Sequence, residues 1–112
     1  MRQINQNDIV MARIPFSNSS GSKVRPSIVL SNNSYNEEDF DLILIPLYSK
    51  STQNKYSFKL DNNLKFGNLR SESYIRINKI TNIDKIIITK KLGEVNFVVM
   101  ERIRNELLEL IL

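Results

Sequence analysis

GSKVRPSIVLS, residues 21–31, joins a flexible polar loop to an apolar strand. Pro26 has no N–H and therefore suits the first position of a strand better than its middle. It also biases Arg25 toward an extended conformation. The pattern predicts a strand over 27–30 with the Arg25 guanidinium at its mouth, where the rigid fork of five donors suits a phosphate group. The alternative interpretation is a surface arginine before an edge strand.

Length and composition limit the class of protein. At 112 residues we expect one domain, covering 1–112. The sequence contains no cysteine and no histidine, so it lacks thiolates, the usual general base and the commonest metal ligand. We therefore expect no metal and no other cofactor. Since no secretory signal or membrane-length apolar run is present, we expect a cytoplasmic protein with no membrane contact.

The positive charge is concentrated in the middle of the chain. The net charge is +4, and residues 50–91 carry ten Lys and Arg against three acidic residues. A short acidic cluster, which contains Glu37, Glu38, Asp39 and Asp41, precedes this region. Such a distribution fits an anionic partner such as nucleic acid, although a solvated lysine-rich surface has the same composition.

The hydrophobic pattern predicts many short strands followed by one helix. Strands are expected over 8–14, 27–30, 41–47, 56–60 and 74–77, with one or two more in 80–89. The most apolar run, 41–47, should be the central strand. After Gly93 apolar residues recur at helical spacing, which predicts a helix over 96–110 with Asn96 as its N-cap. The expected fold is α+β, a small bent antiparallel barrel of five to seven strands with a C-terminal helix.

Polar side chains stand at the ends of three apolar strands. The first is Arg25, the second is the run Tyr48-Ser49-Lys50, and the third is the stretch 73–78, which contains Arg76. Each has a structural explanation when taken alone, as a turn cap or a solvent-facing arginine. Together, arginines and hydroxyls on a rigid scaffold suit phosphodiester chemistry by charge stabilisation.

The chain resembles the MazF/PemK family of toxin endoribonucleases over nearly its whole length. The likeness rests on DIV and PF (8–10, 15–16), GSKVRP with IVLS (21–26, 28–31), ILIPLYS (43–49), and SYIRINKITNID with KLG (73–84, 91–93). The Arg-Pro motif is the most specific piece, and the order and spacing of all the pieces strengthen the likeness.

The resemblance implies a compact SH3-like barrel of the CcdB/PemK type that forms a homodimer. It implies metal-independent, sequence-specific cleavage of single-stranded RNA, in which a 2′-hydroxyl attacks the adjacent phosphate and leaves a 2′,3′-cyclic phosphate. It further implies a cognate antitoxin of the MazE/PemI type that neutralises the toxin. Arg25 matches the key arginine of the family and Arg76 a second arginine. RNA contacts are expected from Phe16, Ser17, Ser20, Lys23, Lys50 and Asn78.

Two positions depart from the family pattern. Tyr48 stands where some members carry a catalytic threonine, and Ser49 follows it, so either hydroxyl is a candidate replacement. Asn78 stands where other members carry an aspartate, and an amide cannot act as a carboxylate base. Two alternatives therefore stay open: a toxin of the same fold that binds DNA gyrase, and a degenerate member that binds RNA without cutting it.

Overall fold

The protein is described by a computed structural model that covers residues 3–61, 63–69 and 71–112. The strands are β1 (Asp8–Pro15), β2 (Ser22–Val29), β3 (Asp41–Tyr48), β4 (Ser57–Lys59), β5 (Leu64–Gly67), β6 (Tyr74–Arg76), β7 (Thr81–Asp84) and β8 (Lys91–Val95). The helices are α1 (Asn33–Glu38) and α2 (Phe97–Ile111). Two short 3-10 turns, Ile77–Lys79 and Lys85–Ile87, precede and follow β7.

The strands form one antiparallel sheet in the order β4-β6-β3-β2-β1-β8-β5, and β7 pairs with β3 outside this path. The expected α+β class, an antiparallel sheet with a C-terminal helix, is confirmed. The described sheet has eight strands instead of five to seven, and its path is open where a closed barrel was expected. β3 pairs with β2, β6 and β7, which confirms the prediction of a central strand.

Two apolar clusters hold the sheet together. The larger cluster joins side chains such as Ile28 and Ile75 to Val99, Met100 and Ile103 of α2. The smaller cluster gathers apolar side chains of β1, β2, β3 and β7. Since alternate side chains of a strand point to opposite faces, the same strands contribute side chains to both clusters. α2 thus covers the larger cluster, and the polar strand ends remain outside it.

The strand predicted over 27–30 is wrong in its start, because β2 begins at Ser22 and Pro26 lies within it. The register places Pro26 opposite Met11 of β1, whose backbone N–H and C=O are already bonded to Lys90 and Thr89. The pairing of β2 with β3 begins only at Ser27. The missing N–H of Pro26 therefore removes no hydrogen bond from the pairing of β2 with β1 or with β3, and β2 can continue through this residue.

Two glycines let β5 and β8 approach each other closely. Gly67 lies opposite Gly93 and has a φ of 96°. A Cβ atom on Gly67 would lie 2.6 Å from the Cα of Gly93 and would collide with the carbonyl oxygen of Leu92. Only glycine fits at such a contact with such a backbone angle.

The helix α1 is not among the elements that the sequence predicted. Asn32 caps it, with its Oδ1 accepting a 2.9 Å hydrogen bond from the backbone N–H of Tyr35. At the other end of the chain, Asn96 holds the predicted N-cap position of α2 but makes no side-chain cap bond. In the described part of the chain, no helix combines the length and apolar composition that crossing a membrane requires.

Candidate active site

Three neighbouring strands bring Arg25, Tyr48 and Arg76 together. Ser27 of β2 lies opposite Pro46 of β3, and continuing this register by two residues places Arg25 across from Tyr48. On the other side of β3, Tyr48 lies opposite Tyr74 of β6, so Arg76 is a diagonal neighbour on the same face. Each guanidinium carbon lies 4.2 Å from the centroid of the Tyr48 ring.

The two arginines differ in how the protein holds them. Nε and Nη2 of Arg76 both donate to the backbone carbonyl of Lys50, at 3.1 and 2.7 Å. Within the described ranges, the Arg25 guanidinium makes no hydrogen bond and no ion pair, and it lies against the Tyr48 ring. All five of its N–H donors are therefore available to a ligand.

A groove of about 820 Å³ lies beside this stack. Its wall from the β1–β2 hairpin includes Phe16, whose ring is exposed and packs against Gly21. The hairpin is closed by a 2.8 Å bond from the backbone N–H of Phe16 to the carbonyl of Gly21. The groove is lined by Ile14, Pro15, Phe16, Ser17, Asn18, Ser20, Arg25, Tyr48, Asn78, Lys79, Ile80 and Thr81.

Six residues predicted from the sequence line the groove: Phe16, Ser17, Ser20, Arg25, Tyr48 and Asn78. Arg76 joins them through the Tyr48 ring. Lys23, Ser49 and Lys50 are exposed and do not line the groove. Ser49 and Lys50 lie in the exposed bend that follows Tyr48, the last residue of β3, and Lys23 lies near the exposed start of β2.

Three polar groove residues were missed by sequence reasoning: Asn18, Lys79 and Thr81. Nζ of Lys79 donates a 2.7 Å hydrogen bond to the hydroxyl of Ser17, which ties the 3-10 turn after β6 to the β1–β2 hairpin. Thr81, the first residue of β7, supplies a further hydroxyl. Lys79 and Thr81 lie just after Asn78 in the sequence. They reach the groove because of the 3-10 turn over 77–79, and hydrophobic periodicity does not reveal such a turn.

The groove is electropositive. Arg25 and Lys79 line it and Arg76 stands next to it, while its described lining residues include no Asp or Glu. The acidic cluster lies around the start of β3, at the opposite end of that strand from Tyr48. Among residues 3–61, 63–69 and 71–112, no cluster of three or more carboxylate, thiol or imidazole side chains could hold a metal ion.

One ion pair with shifted pKa values lies outside the groove. Nζ of Lys59 donates a 2.9 Å hydrogen bond to Glu72, which lowers the pKa of that carboxyl and raises the pKa of the lysine. Both side chains are largely solvated, and they line a separate, smaller hollow. This pair joins β4 to the segment before β6 and does not contact the candidate site.

The family model described as "PemK-like, MazF-like toxin of type II toxin-antitoxin system" matches residues 5–111. No curated protein sequence is significantly similar to this chain.

Solved structures share the fold at low identity. MazF from Deinococcus radiodurans superposes with a TM-score of 0.78 at 18% identity, over 99% of this chain and 98% of that one. A MazE–MazF complex from the same organism gives a TM-score of 0.76 at 18% identity, over 99% and 97% of the two chains. An endoribonuclease from a mycobacterial species gives 0.75 at 16% identity, over 97% and 91%.

Proposed function

This chain belongs to the PemK-like, MazF-like family of type II toxin–antitoxin toxins, and on that premise we propose that it is a metal-independent endoribonuclease that cleaves single-stranded RNA within a short sequence. By degrading messenger RNA it inhibits translation and growth. The observation that carries the proposal is the Arg25 guanidinium at the edge of the groove, with all five donors free of described protein partners.

The proposed reaction is an internal transfer of the phosphodiester. The 2′-hydroxyl loses its proton as its oxygen attacks the adjacent phosphorus, and the bond from phosphorus to the 5′-oxygen breaks. The leaving 5′-oxygen takes up a proton, so the products are a 2′,3′-cyclic phosphate and a 5′-hydroxyl. Negative charge grows on the non-bridging oxygens during the attack. Arg25 stabilises that charge by bidentate hydrogen bonding, and Arg76 adds a second positive charge nearby.

Proton transfer is assigned to a hydroxyl close to the arginines. The sequence offers Tyr48 and Ser49 at the end of β3. Tyr48 lines the groove, and Ser49 follows it on the exposed turn. Asn78, which also lines the groove, can donate and accept hydrogen bonds to RNA but cannot take up the proton.

The groove favours a single strand over a duplex. Positively charged side chains can follow the phosphates, and the exposed Phe16 ring offers a surface on which an unpaired base stacks. The serine hydroxyls and the amides of Asn18 and Asn78 supply donors and acceptors for reading base edges. These contacts make the groove the proposed source of sequence preference.

We further propose that a cognate antitoxin binds this protein and that it acts in the cytoplasm as a homodimer of single-domain chains. The MazE–MazF complex from Deinococcus radiodurans, whose MazF chain shares this fold, supports the antitoxin. Exposed apolar side chains on α2, among them Phe97 and Ile111, support self-association.

Incubation of the purified protein with end-labelled single-stranded RNA in EDTA tests the proposal. We expect discrete fragments that carry a 2′,3′-cyclic phosphate and a 5′-hydroxyl. The matched control is Arg104→Ala, which removes an exposed arginine of α2, while Arg25→Ala should give no fragments. Intact RNA together with inhibited gyrase supercoiling would instead support the gyrase-binding alternative.

A second candidate function, RNA binding without cleavage, is favoured by the amide of Asn78 and the aromatic side chain at position 48, both within the groove. In that case the wild-type protein would shift RNA in a gel but leave it intact at every pH.

A further inference from the structure

We propose that the ring of Tyr48, rather than its hydroxyl, is what the candidate site requires at this position: Tyr48 is a positioning residue that transmits the fixed orientation of Arg76 to Arg25. The expected effect on the cleavage rate rests on the proposed function, whereas the arrangement of the three side chains can be tested without RNA.

Arg76 is anchored to the backbone at Lys50. Two N–H groups of Arg76 converge on one acceptor, the carbonyl oxygen of Lys50. A guanidinium is planar, so two bonds from Nε and Nη2 to a single oxygen fix both its place and the plane of the group. Three of its N–H donors remain for a ligand. Arg76 is thus the arginine that the backbone holds.

Both arginines share the Tyr48 ring. The guanidiniums of Arg25 and Arg76 each lie 4.2 Å from the centroid of the Tyr48 ring. They come from β2 and β6, which flank β3 on opposite sides, so they approach the ring from opposite sides. The electron-rich ring faces attract both cations, and the ring keeps the two positive groups from closing on each other.

Among the described residues, the protein holds Arg76 by hydrogen bonds but holds Arg25 only through the ring. In the part of the chain that the structure describes, the Arg25 guanidinium has no hydrogen-bond partner that could orient it. Its orientation therefore depends on the ring, and the position of the ring depends in turn on Arg76. A phosphate in the groove would meet Arg25 with all its donors free and Arg76 already fixed by the Lys50 carbonyl. Arg25 then makes the catalytic contact, and Arg76 supports it through the ring.

The same geometry excludes another role for the residue. Because guanidiniums occupy the space on both sides of the ring, its faces are not free to stack on an RNA base. The exposed Phe16 ring, and not Tyr48, is then the aromatic platform of the groove.

The structural test uses the full-length protein without RNA. Ring currents should shift the Cδ protons of Arg25 and Arg76 upfield in the wild type. We expect Tyr48→Phe to keep both shifts and Tyr48→Leu to abolish them. In Tyr48→Leu, the Nε–H of Arg76 should still exchange slowly, since the carbonyl of Lys50 remains its acceptor. Unshifted Arg25 protons in the wild type would overturn the proposal.

The kinetic test compares the same variants on a single-stranded RNA. Tyr48→Leu should lower kcat about tenfold with a smaller change in KM, as expected for a misplaced catalytic group. Tyr48→Phe should retain kcat within about threefold of the wild type. If Tyr48→Leu does not fold, Tyr48→Met serves as the variant without a ring. Loss of cleavage in Tyr48→Phe with its ring-current shifts intact would show that the hydroxyl is the functional group and would overturn the proposal.

A double-mutant cycle tests the transmission from Arg76. Arg76→Ala should lower kcat by a smaller factor in the Tyr48→Leu background than in the wild type, because only the direct charge effect of Arg76 is left to lose once its link to Arg25 is broken. Additive effects would show that the two residues act independently and would contradict the proposed link. If the wild-type protein cuts no RNA, the proposed function fails, and the ring-current result decides the structural inference alone.

Discussion

Nζ of Lys79 donates a 2.7 Å hydrogen bond to the hydroxyl of Ser17, although 62 positions separate the two residues in the sequence. The contact joins the turn after β6 to the β1–β2 hairpin, and both residues line the groove. It brings a second positive charge to the groove beside Arg25, so the groove has a basic group on each of two separate segments.

Replacing Lys79 by Met should weaken RNA binding and make it less sensitive to salt. Each lost contact with a single-stranded phosphate reduces the slope of log K against log salt by about 0.7. Binding of 2′-O-methyl RNA, which has no attacking hydroxyl, can be measured by fluorescence anisotropy at several salt concentrations. Lys65→Met is the matched control, because Lys65 lies on β5 and pairs with Glu94 at 3.5 Å. An unchanged slope for Lys79→Met would remove Lys79 from the proposed interface.

Arg25→Ala should lower the cleavage rate roughly a hundredfold or more, because it removes a preorganised charge from the transition state. The variant should keep the wild-type melting temperature, since Arg25 is only half-buried and lies outside both apolar clusters. Arg25→Lys should also be impaired, as an ammonium cannot form the bidentate fork. Arg76→Ala should cost less than Arg25→Ala. Single-turnover cleavage and thermal melts check these expectations, and wild-type activity in Arg25→Ala would refute the site assignment.

Ser49→Ala should weaken cleavage more than Tyr48→Phe does. The positioning role of the Tyr48 ring leaves Ser49 as the hydroxyl at this strand end that can assist proton transfer. We expect kcat of Ser49→Ala to fall with little change in KM. Cleavage rates measured from pH 5 to pH 9 check this expectation. Ser51→Ala, in the same exposed turn, is the control. Equal and wild-type rates for Ser49→Ala and Tyr48→Phe would exclude both hydroxyls.

The protein should be a dimer in solution, with twice the 13.0 kDa mass of the chain. Phe97 and Ile111 are 71% and 70% exposed, and burying such apolar area favours association. Light scattering at micromolar concentration measures the mass directly. A double Phe97→Glu, Ile111→Glu variant should sediment as a monomer if α2 forms the interface. A monomer mass for the wild type would contradict the prediction.

Gly67→Ala should lower the free energy of unfolding by about 2 kcal/mol. The new Cβ meets the backbone of Leu92 and Gly93, and the positive φ of Gly67 is itself unfavourable for alanine. Urea denaturation followed by circular dichroism measures the loss. The neighbouring exposed residue provides the control, since Asn68→Ala should change stability by less than about 0.5 kcal/mol.

Strong periodicity made part of the fold predictable. The apolar run of β3, the alternation around Ile75 and the helical spacing after Gly93 each correspond to an element of the structure. β5 and β8 were missed because they are short and contain glycine, and their pairing depends on a backbone approach that pattern analysis does not detect. α1 was missed because the same Asn-rich chemistry begins both turns and helices.

The candidate site was predictable as a set of strand ends but not as an arrangement. Arg25, Tyr48 and Arg76 were each singled out from the sequence, and their roles stay predictions. Their stacking depends on the registers of two separate strand pairs, and no local pattern specifies a register between distant segments. Lys79 and Thr81 escaped notice because the 3-10 turn that ends at Lys79 and the start of β7 bring them to the groove, and no periodicity specifies that turn.

The stack of Arg25, Tyr48 and Arg76 draws on three strands that lie far apart along the polypeptide, and β6 comes last among them. A nascent chain still attached to the ribosome lacks this arrangement until β6 has emerged and paired with β3. The apolar cluster behind the stack also needs Val99, Met100 and Ile103 of α2. The site thus cannot be complete before Ile103 has left the ribosome, so under the proposed function a nascent chain shorter than this cannot cut RNA.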